Sequence, residues 1–86
     1  MNQSKKPEVR DRVFNLYKNV KYLREKNGLS IKQLANIISI KEKHLALSEK
    51  CINFGYFSDD HIKKICTFFN VTPNTLFRKN LWEGTI

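Results

Sequence analysis

The sequence predicts an all-α domain, and three observations support that prediction. The 86-residue chain has only three Gly and two Pro, which leaves few residues for the turns that connect strands. No apolar run alternates strictly with polar residues, as a half-buried strand would require. Several segments instead repeat apolar residues at steps of three and four, the period of an α-helix. With 41% hydrophobic residues, the chain can fold as one small domain around its own core.

The first predicted helix spans residues 7–27. Pro7 suits the first helical position, since proline has no amide hydrogen to leave unpaired there. The predicted buried stripe consists of Val9, Val13, Leu16, Val20 and Leu23, widened by Phe14 and Tyr17. Gly28 supplies the left-handed conformation with which helices commonly end. Residues 1–6 are polar and basic, and we expect them to form a flexible N-terminal arm.

The second predicted helix begins at the capping box Ser30-Ile31-Lys32-Gln33, in which two side chains each satisfy a backbone amide. Its predicted buried face comprises Leu34, Ala35, Ile37 and Ile38. Ser39 and Ile40 leave room only for a tight corner before a third helix at about residues 41–51. That helix has an alternative start, because Ser39 to Glu42 also has the spacing of a capping box.

The fourth predicted helix is capped by Ser58, with two aspartates in the first turn, where the helix dipole favours carboxylates. Its predicted inward residues are Ile62, Ile65, Cys66 and Phe69. Thr72 and Pro73 predict the start of a fifth helix. The domain should therefore span residues 7–79, followed by a C-terminal tail, residues 80–86, in which Trp82 is exposed.

The formal net charge of +8 is unevenly distributed. Residues 5–26 have a net charge of +5 and residues 32–50 a net charge of +2. Such a basic surface attracts phosphate backbones, although a merely soluble basic surface is the alternative interpretation. No apolar stretch approaches the roughly 20 residues that span a membrane, and no signal peptide is recognisable. We therefore expect a cytoplasmic protein.

Metal and catalytic sites are not indicated by the sequence. Cys51, Cys66, His44 and His61 are of zinc-binding residue types, but they show no C-x-x-C or H-x-x-x-H spacing. We expect these side chains to have structural roles, with no metal and no cofactor. The sequence contains no glycine-rich phosphate loop, nucleophile elbow or paired carboxylate site, so we do not expect an enzyme.

Several short motifs follow one another in order between residues 19 and 77. They are Val20-x-x-Leu23-Arg24, Gly28-Leu29-Ser30, Leu34-Ala35, Ile40, Leu45, Glu49, Ser58, Val71-Thr72-Pro73 and Leu76-Phe77. In their order and spacing they resemble the Cro/CI-type (XRE, lambda repressor-like) helix-turn-helix family of phage and bacterial repressors. The resemblance implies a compact five-helix domain that binds double-stranded DNA as a sequence-specific transcriptional regulator, with helix 3 in the major groove.

Arg24 and Glu49 match the family's buried arginine–glutamate pair, which ties helix 1 to the end of helix 3. A physical argument supports the same pairing. Glu49 falls on the predicted inner face of helix 3, and a buried carboxylate without a partner is costly. We expect this pair to have a structural role, not one in base recognition.

The resemblance also assigns candidate contacts with DNA. The base-reading residues of the family correspond by position to Lys41, Glu42, Lys43, His44 and Leu47. Candidates for phosphate contacts are Lys32, Gln33, Lys50 and Asn53, together with Lys5 and Lys6 of the N-terminal arm.

Four positions depart from the family pattern. Ile31 stands where the family often has a glutamine that contacts a phosphate, and Ser48 stands where an apolar residue is usually buried. Glu42 repels phosphates but could accept a hydrogen bond from a cytosine amino group, and Leu47 can contact only a thymine methyl group. These departures concern the DNA-binding face more than the fold.

The sequence leaves two functions to compare. In the first, the chain is a Cro-like repressor that dimerises through Phe77, Leu81 and Trp82. In the second, it is an antirepressor or other regulatory partner that binds protein through Ile31, Glu42, Leu47 and the Tyr56-Phe57 edge. DNA affinity that falls steeply with salt would support the first.

Overall fold

The computed structural model describes residues 9–51, 53 and 55–82. These residues form five α-helices and no β-strand, which confirms the predicted fold class. The helices are α1 (Val9–Lys26), α2 (Ile31–Ile38), α3 (Glu42–Glu49), α4 (Asp59–Phe69) and α5 (Pro73–Arg78). The predicted arm with Lys5 and Lys6, Pro7 and the last four residues, 83–86, lie outside the described residues.

The core lies where α1 packs against α3 and α5, while α2 packs against α3 and α4. The predicted stripe of α1 is buried at four positions: Leu16, Tyr17, Val20 and Leu23. The other helices and the α2–α3 corner contribute Leu34, Ala35, Ile38, Ile40, Leu45, Ile65 and Leu76. These apolar side chains supply the main favourable free energy of folding.

The prediction that Ile37 is buried is wrong, since 37% of this residue is exposed. Successive residues of an α-helix are about 100° apart around its axis. The buried face of α2 is centred between Ala35 and Ile38, which places Ile37 at its edge, beside the C-terminal half of α4.

Three of the predicted helix starts have the expected caps. The Ser30 hydroxyl accepts from the Gln33 amide at 3.0 Å, while Gln33 Oε1 accepts from the Ser30 amide at 2.8 Å. Ser58 caps α4, and Thr72 caps α5 by accepting from the Thr75 amide at 3.1 Å. Each such cap contributes about 1 kcal/mol to helix stability.

The alternative start of α3 at Ser39 is wrong. Ser39 has φ 61° and ψ 43°, the left-handed conformation, and ends α2 instead of capping α3. Lys41 is the N-cap of α3, without a side-chain hydrogen bond. The helix also ends before the predicted residue 51, because Cys51 itself adopts a left-handed φ of 54°.

Two asparagines of α1, here called the asparagine clasp, hold the end of α5. Asn19 is fully buried, and its Nδ2 donates to the carbonyls of Leu76 at 2.6 Å and Lys79 at 2.7 Å. Its Oδ1 accepts from the amide of Leu81 at 2.9 Å. Asn15 donates to the carbonyls of Phe77 and Lys79 at 2.9 and 3.0 Å. The clasp therefore satisfies backbone groups that the short helix α5 leaves unpaired.

The C-terminal segment is part of the fold up to Trp82, and the prediction that Trp82 is exposed is wrong. Leu81 and Trp82 form a short 3₁₀ turn, and both side chains are half-buried. The Lys18 Nζ lies 5.4 Å from the centre of the Trp82 ring, within the range of a cation–π interaction.

Candidate nucleic-acid interface

A tight corner of three residues, 39–41, sets the direction of α3 relative to α2. The Ser39 amide donates to the carbonyls of Ala35 and Asn36, and the Ile40 amide donates to Ala35 at 3.0 Å. The Ile40 side chain is buried in the core. This hydrogen bonding closes the end of α2 and anchors the corner from which α3 begins.

His61 connects this corner to the start of α4. Its Nδ1 accepts from the Ser58 amide at 3.0 Å, so the neutral ring has its proton on Nε2. The Nε2 atom lies 3.2 Å from the Ser39 carbonyl oxygen and donates to it. One imidazole thus completes the capping box of α4 and fixes the helix-turn-helix corner.

The structure pairs Arg24 with Glu49, as the resemblance implied. Nε of Arg24 lies 2.5 Å from Oε2 of Glu49, and Nη2 lies 2.9 Å from Oε1, which makes a bidentate pair. The third guanidinium nitrogen, Nη1, donates to the Leu29 carbonyl at 2.7 Å. Only 12% of the Arg24 side chain and 7% of the Glu49 side chain are exposed. The hydrogen bond from Arg24 to Glu49 raises the pKa of the guanidinium, although burial acts in the opposite direction.

Ser48 occupies a buried position of α3, so this departure from the family pattern faces the core. Its hydroxyl donates to the Leu45 carbonyl at 2.7 Å, which satisfies the polar atom within its own helix. Leu45 is also fully buried, whereas Ala46 and Leu47 are half-buried. Of the three consecutive residues 45–47, only Leu45 is therefore fully buried.

The candidate base-reading residues differ in exposure. Lys41, Glu42 and Lys43 are exposed together at the beginning of α3. Leu47 lies one turn after Lys43 and is half-buried. The ring of His44 is half-buried against Tyr56, with 5.6 Å between the ring centres. Lys41, Glu42 and Lys43 are therefore exposed at consecutive positions, whereas the ring of His44 packs against Tyr56.

The described candidates for phosphate contacts precede and follow α3 in the sequence. Lys32 and Gln33 are exposed in the first turn of α2, and Lys50 and Asn53 are exposed after α3. Gln33 already uses its oxygen in the capping box, which leaves its amide hydrogens as the donors for a phosphate.

The aromatic residues after α3 pack against the buried Tyr17. The Tyr17 hydroxyl accepts from the Tyr56 amide at 3.3 Å, and the Phe57 ring contacts the Tyr17 ring edge-on at 5.5 Å. Burial raises the pKa of the Tyr17 hydroxyl. Because Tyr56, Phe57 and Ile31 all pack partly against the core, the protein-binding surface of the alternative function presents less apolar area than expected.

The residues predicted to form a dimer interface lie where α1 meets the C-terminal segment. Phe77 and Leu81 pack against the core of the same chain, and Trp82 is half-buried beside Lys18. Their contacts within the chain explain why this apolar cluster is less exposed than the sequence suggested.

Sequence reasoning did not predict the hydrogen bonds by which three polar side chains connect elements of the fold: those of Asn15 and Asn19 to the end of α5, and that of His61 to the corner before α3. A signal for Asn19 was present, because it lies on the apolar stripe of α1 between Leu16 and Val20. A polar residue in such a position is usually buried with hydrogen-bond partners. His61 had no comparable signal, since its bond to Ser39 joins residues 22 positions apart.

The cysteines are free thiols, and burial raises the pKa of Cys66. Within residues 9–51, 53 and 55–82, no three His, Cys, Asp or Glu side chains lie close enough together to hold a metal ion. None of the described helices is long and apolar enough to cross a membrane.

The model of the Cro/C1-type helix-turn-helix DNA-binding domain matches residues 19–80, more than two thirds of the chain. The chain belongs to the Cro/C1-type family. The match covers the C-terminal part of α1, residues 19–26, and all of α2 to α5, including the corner at Ser39 and the Arg24–Glu49 pair. Searches of curated proteins and of solved structures gave no significant match. Membership of the Cro/C1-type family makes the chain a DNA-binding regulator in the general sense, a class that is not enzymatic.

Proposed function

We propose that this Cro/C1-type domain is a sequence-specific transcriptional repressor that inserts α3 into the major groove. The observation that supports this proposal is the exposure of Lys41, Glu42 and Lys43 together at the beginning of α3. Residues at the start of a recognition helix are those that contact base edges in helix-turn-helix proteins. The rest of α3 is held by the core and by the Arg24–Glu49 pair.

Each exposed side chain suits a different contact. Lys43 can donate to guanine O6 and N7, Glu42 can accept from a cytosine amino group, and Leu47 can contact a thymine methyl group. Lys32, Gln33, Lys50 and Asn53 flank α3 and would contact phosphates, which fix the position of a helix in the groove without reading sequence. His44 packs against Tyr56, so we assign it a supporting role beside the base contacts.

The domain would act as a homodimer on an operator with two-fold symmetry. Helix-turn-helix dimers bind half-sites about one helical turn apart. We propose that the second subunit covers the remaining exposed area of Phe77, Leu81 and Trp82. Sedimentation equilibrium tests this interface: Trp82→Ala should weaken dimerisation, and a wild-type chain that is monomeric both free and bound to DNA would overturn it.

The experiment for DNA recognition begins with selection of bound duplexes from a random pool. The selected operator is then titrated by fluorescence anisotropy with the wild type, Lys43→Ala and the control Lys63→Ala, which changes a lysine of α4. We expect Lys43→Ala to weaken operator binding by about 1–3 kcal/mol, roughly 5- to 150-fold in Kd, and to relax specificity at one base pair. The control should bind as the wild type does.

Two results would contradict the proposal. An equal loss of affinity for all sequences would show that Lys43 contacts only a phosphate. Failure to bind any duplex at about 50 mM salt would overturn DNA recognition altogether and favour the protein-binding alternative, because phosphate contacts are strongest at low salt.

A further inference from the structure

An apolar groove lies between α2 and α4, outside the proposed DNA-binding face. Among the described residues, the two exposed large hydrophobic side chains are Ile37 and Phe68, at 37% and 46% exposure. Both line this groove, which has a volume of about 370 Å³ and lies beside Thr67 of α4. Single exposed apolar residues are common, but two that share one groove indicate an interaction site.

A ring contact within α4 orients one of the groove-lining side chains, Phe68. The Phe68 ring contacts the Phe69 ring edge-on, with 4.9 Å between the ring centres and an interplanar angle of 79°. Phe69 itself packs against the core. A side chain that is already oriented loses less conformational entropy when a partner covers it, so Phe68 suits the role of an anchor.

Two lysines give the groove a positive rim. Lys63 is exposed, and the Nζ of Lys64 lies 3.6 Å from Asp60 Oδ2 in an exposed pair one turn apart. Exposed pairs of this kind contribute little to stability, so Lys64 can exchange Asp60 for a carboxylate of a partner. We propose that this groove, here called the α2–α4 groove, binds an acidic amphipathic helix of a partner protein.

The shape and the charge of the groove both support this occupant. A groove between two helices accommodates the apolar face of a third helix, whose anchors recur at steps of three and four residues. Acidic residues beside those anchors would face Lys63 and Lys64. A second copy of this chain is a poorer match, because its net charge is +8 and a two-fold interface would place the same lysines on both sides.

The α2–α4 groove is separate from the proposed DNA-binding residues of α3. None of the groove-lining residues belongs to α3 or is a proposed DNA contact, and Ile37 lies one helical turn beyond Gln33. DNA and the partner helix can therefore be tested independently, and the failure of one proposal leaves the other intact.

The test uses synthetic helical peptides of about 16 residues, long enough to populate a helix. The acidic probe has Leu at helical steps on one face and Glu on the flanks; a second peptide replaces Glu with Lys, and a third replaces Leu with Ala. Binding is followed by NMR shifts of the labelled full chain. We expect the acidic probe to bind with a Kd on the order of 10–100 µM, shifting residues of α2 and α4.

Variants locate the site. Phe68→Ala should weaken the acidic probe at least tenfold, while the exposed position of Phe68 keeps the domain folded. Lys63→Glu should weaken the acidic probe and strengthen the Lys-containing one. Lys21→Glu, an equal charge change at an exposed position of α1, is the matched control and should have little effect on either.

Four binding results would overturn the inference. They are the absence of saturable binding at about 1 mM acidic peptide, equal binding of the Lys-containing peptide, equal binding of the Ala-containing peptide, and unchanged binding by Phe68→Ala. A dimer that Phe68→Ala dissociates would also overturn it, because that result assigns the groove to a second copy of the chain.

Discussion

Ser39 and Cys51 carry side chains in a backbone conformation that usually belongs to glycine. Ser39 ends α2 with φ 61°, and Cys51 follows α3 with φ 54°. The left-handed conformation costs an ordinary L-residue roughly 1–2 kcal/mol, because Cβ approaches the following carbonyl oxygen. The corner between α2 and α3 therefore has a conformational free-energy cost, and the packing of the two helices in the core offsets it.

Ser39→Gly should stabilise the domain by about 0.5–1 kcal/mol. Glycine removes the steric strain of the left-handed conformation, and part of the gain is lost to its greater freedom in the unfolded chain. Denaturant unfolding followed by circular dichroism measures the change. Ser39→Ala is the matched control and should destabilise the domain relative to Ser39→Gly; equal stability of the two would show that the corner is unstrained.

Arg24→Ala should lower the free energy of unfolding by about 3–5 kcal/mol, since it leaves the buried Glu49 carboxylate without its partner. Thermal and denaturant unfolding test this expectation. The double variant Arg24→Met/Glu49→Leu should recover most of the loss, because a well-packed apolar pair avoids the unpaired charge. A single variant with an unchanged melting temperature would contradict the structural role of the pair.

At the scale of elements, the helices were predictable wherever local chemistry determines them. The caps at Ser30, Ser58 and Thr72 act within three residues, so the sequence alone indicates the starts of α2, α4 and α5. The start of α3 was less certain because Ser39 fits two local patterns. Ser39 ends α2 in the left-handed conformation, and Ile40 after it is buried in the core, a tertiary contact that a local pattern does not reveal.

The asparagine clasp fastens α5 to α1 across more than 50 residues of sequence. No local pattern specifies such a contact, which is why its role was not predicted and Trp82 was expected to be exposed. For the proposed DNA site, the sequence assigned the base-reading candidates to α3, and only packing against Tyr56 distinguishes His44 from Lys43.

Asn19→Ala should destabilise the domain by about 2–3 kcal/mol, because it leaves buried carbonyls and the Leu81 amide without their partner. Asn15→Ala is the control on the same helix and should cost less, since Asn15 is only half-buried. Chemical denaturation measures both. Hydrogen exchange at the Leu81 amide should accelerate more in Asn19→Ala than in Asn15→Ala, and equal exchange rates in the two variants would contradict the hydrogen bond from this amide to Asn19.

At the scale of the whole molecule, the positive charge should dominate non-specific association with DNA. The net charge is +8 and the isoelectric point about 9.7. Binding of this kind releases counterions from DNA. The slope of log K against log salt concentration is therefore proportional to the number of phosphates that the protein contacts.

Lys50→Ala should reduce the slope of log K against log salt concentration by about one for each Lys50–phosphate contact present in the complex. Anisotropy titrations at several salt concentrations measure the slope. Lys63→Ala removes the same charge from α4 and should leave the slope close to that of the wild type. Equal slopes for Lys50→Ala and the wild type would show that Lys50 does not contact a phosphate in the complex.

The docked C-terminal segment also has an optical consequence. Trp82 is the single tryptophan of the chain, and it is half-buried beside the Lys18 ammonium group. Its emission therefore reports the position of this segment without any added label. During heating, the emission maximum of Trp82 can be compared with the helical circular dichroism signal. A red shift of the emission that precedes the loss of the helical signal would show that this segment detaches in a separate early step of unfolding.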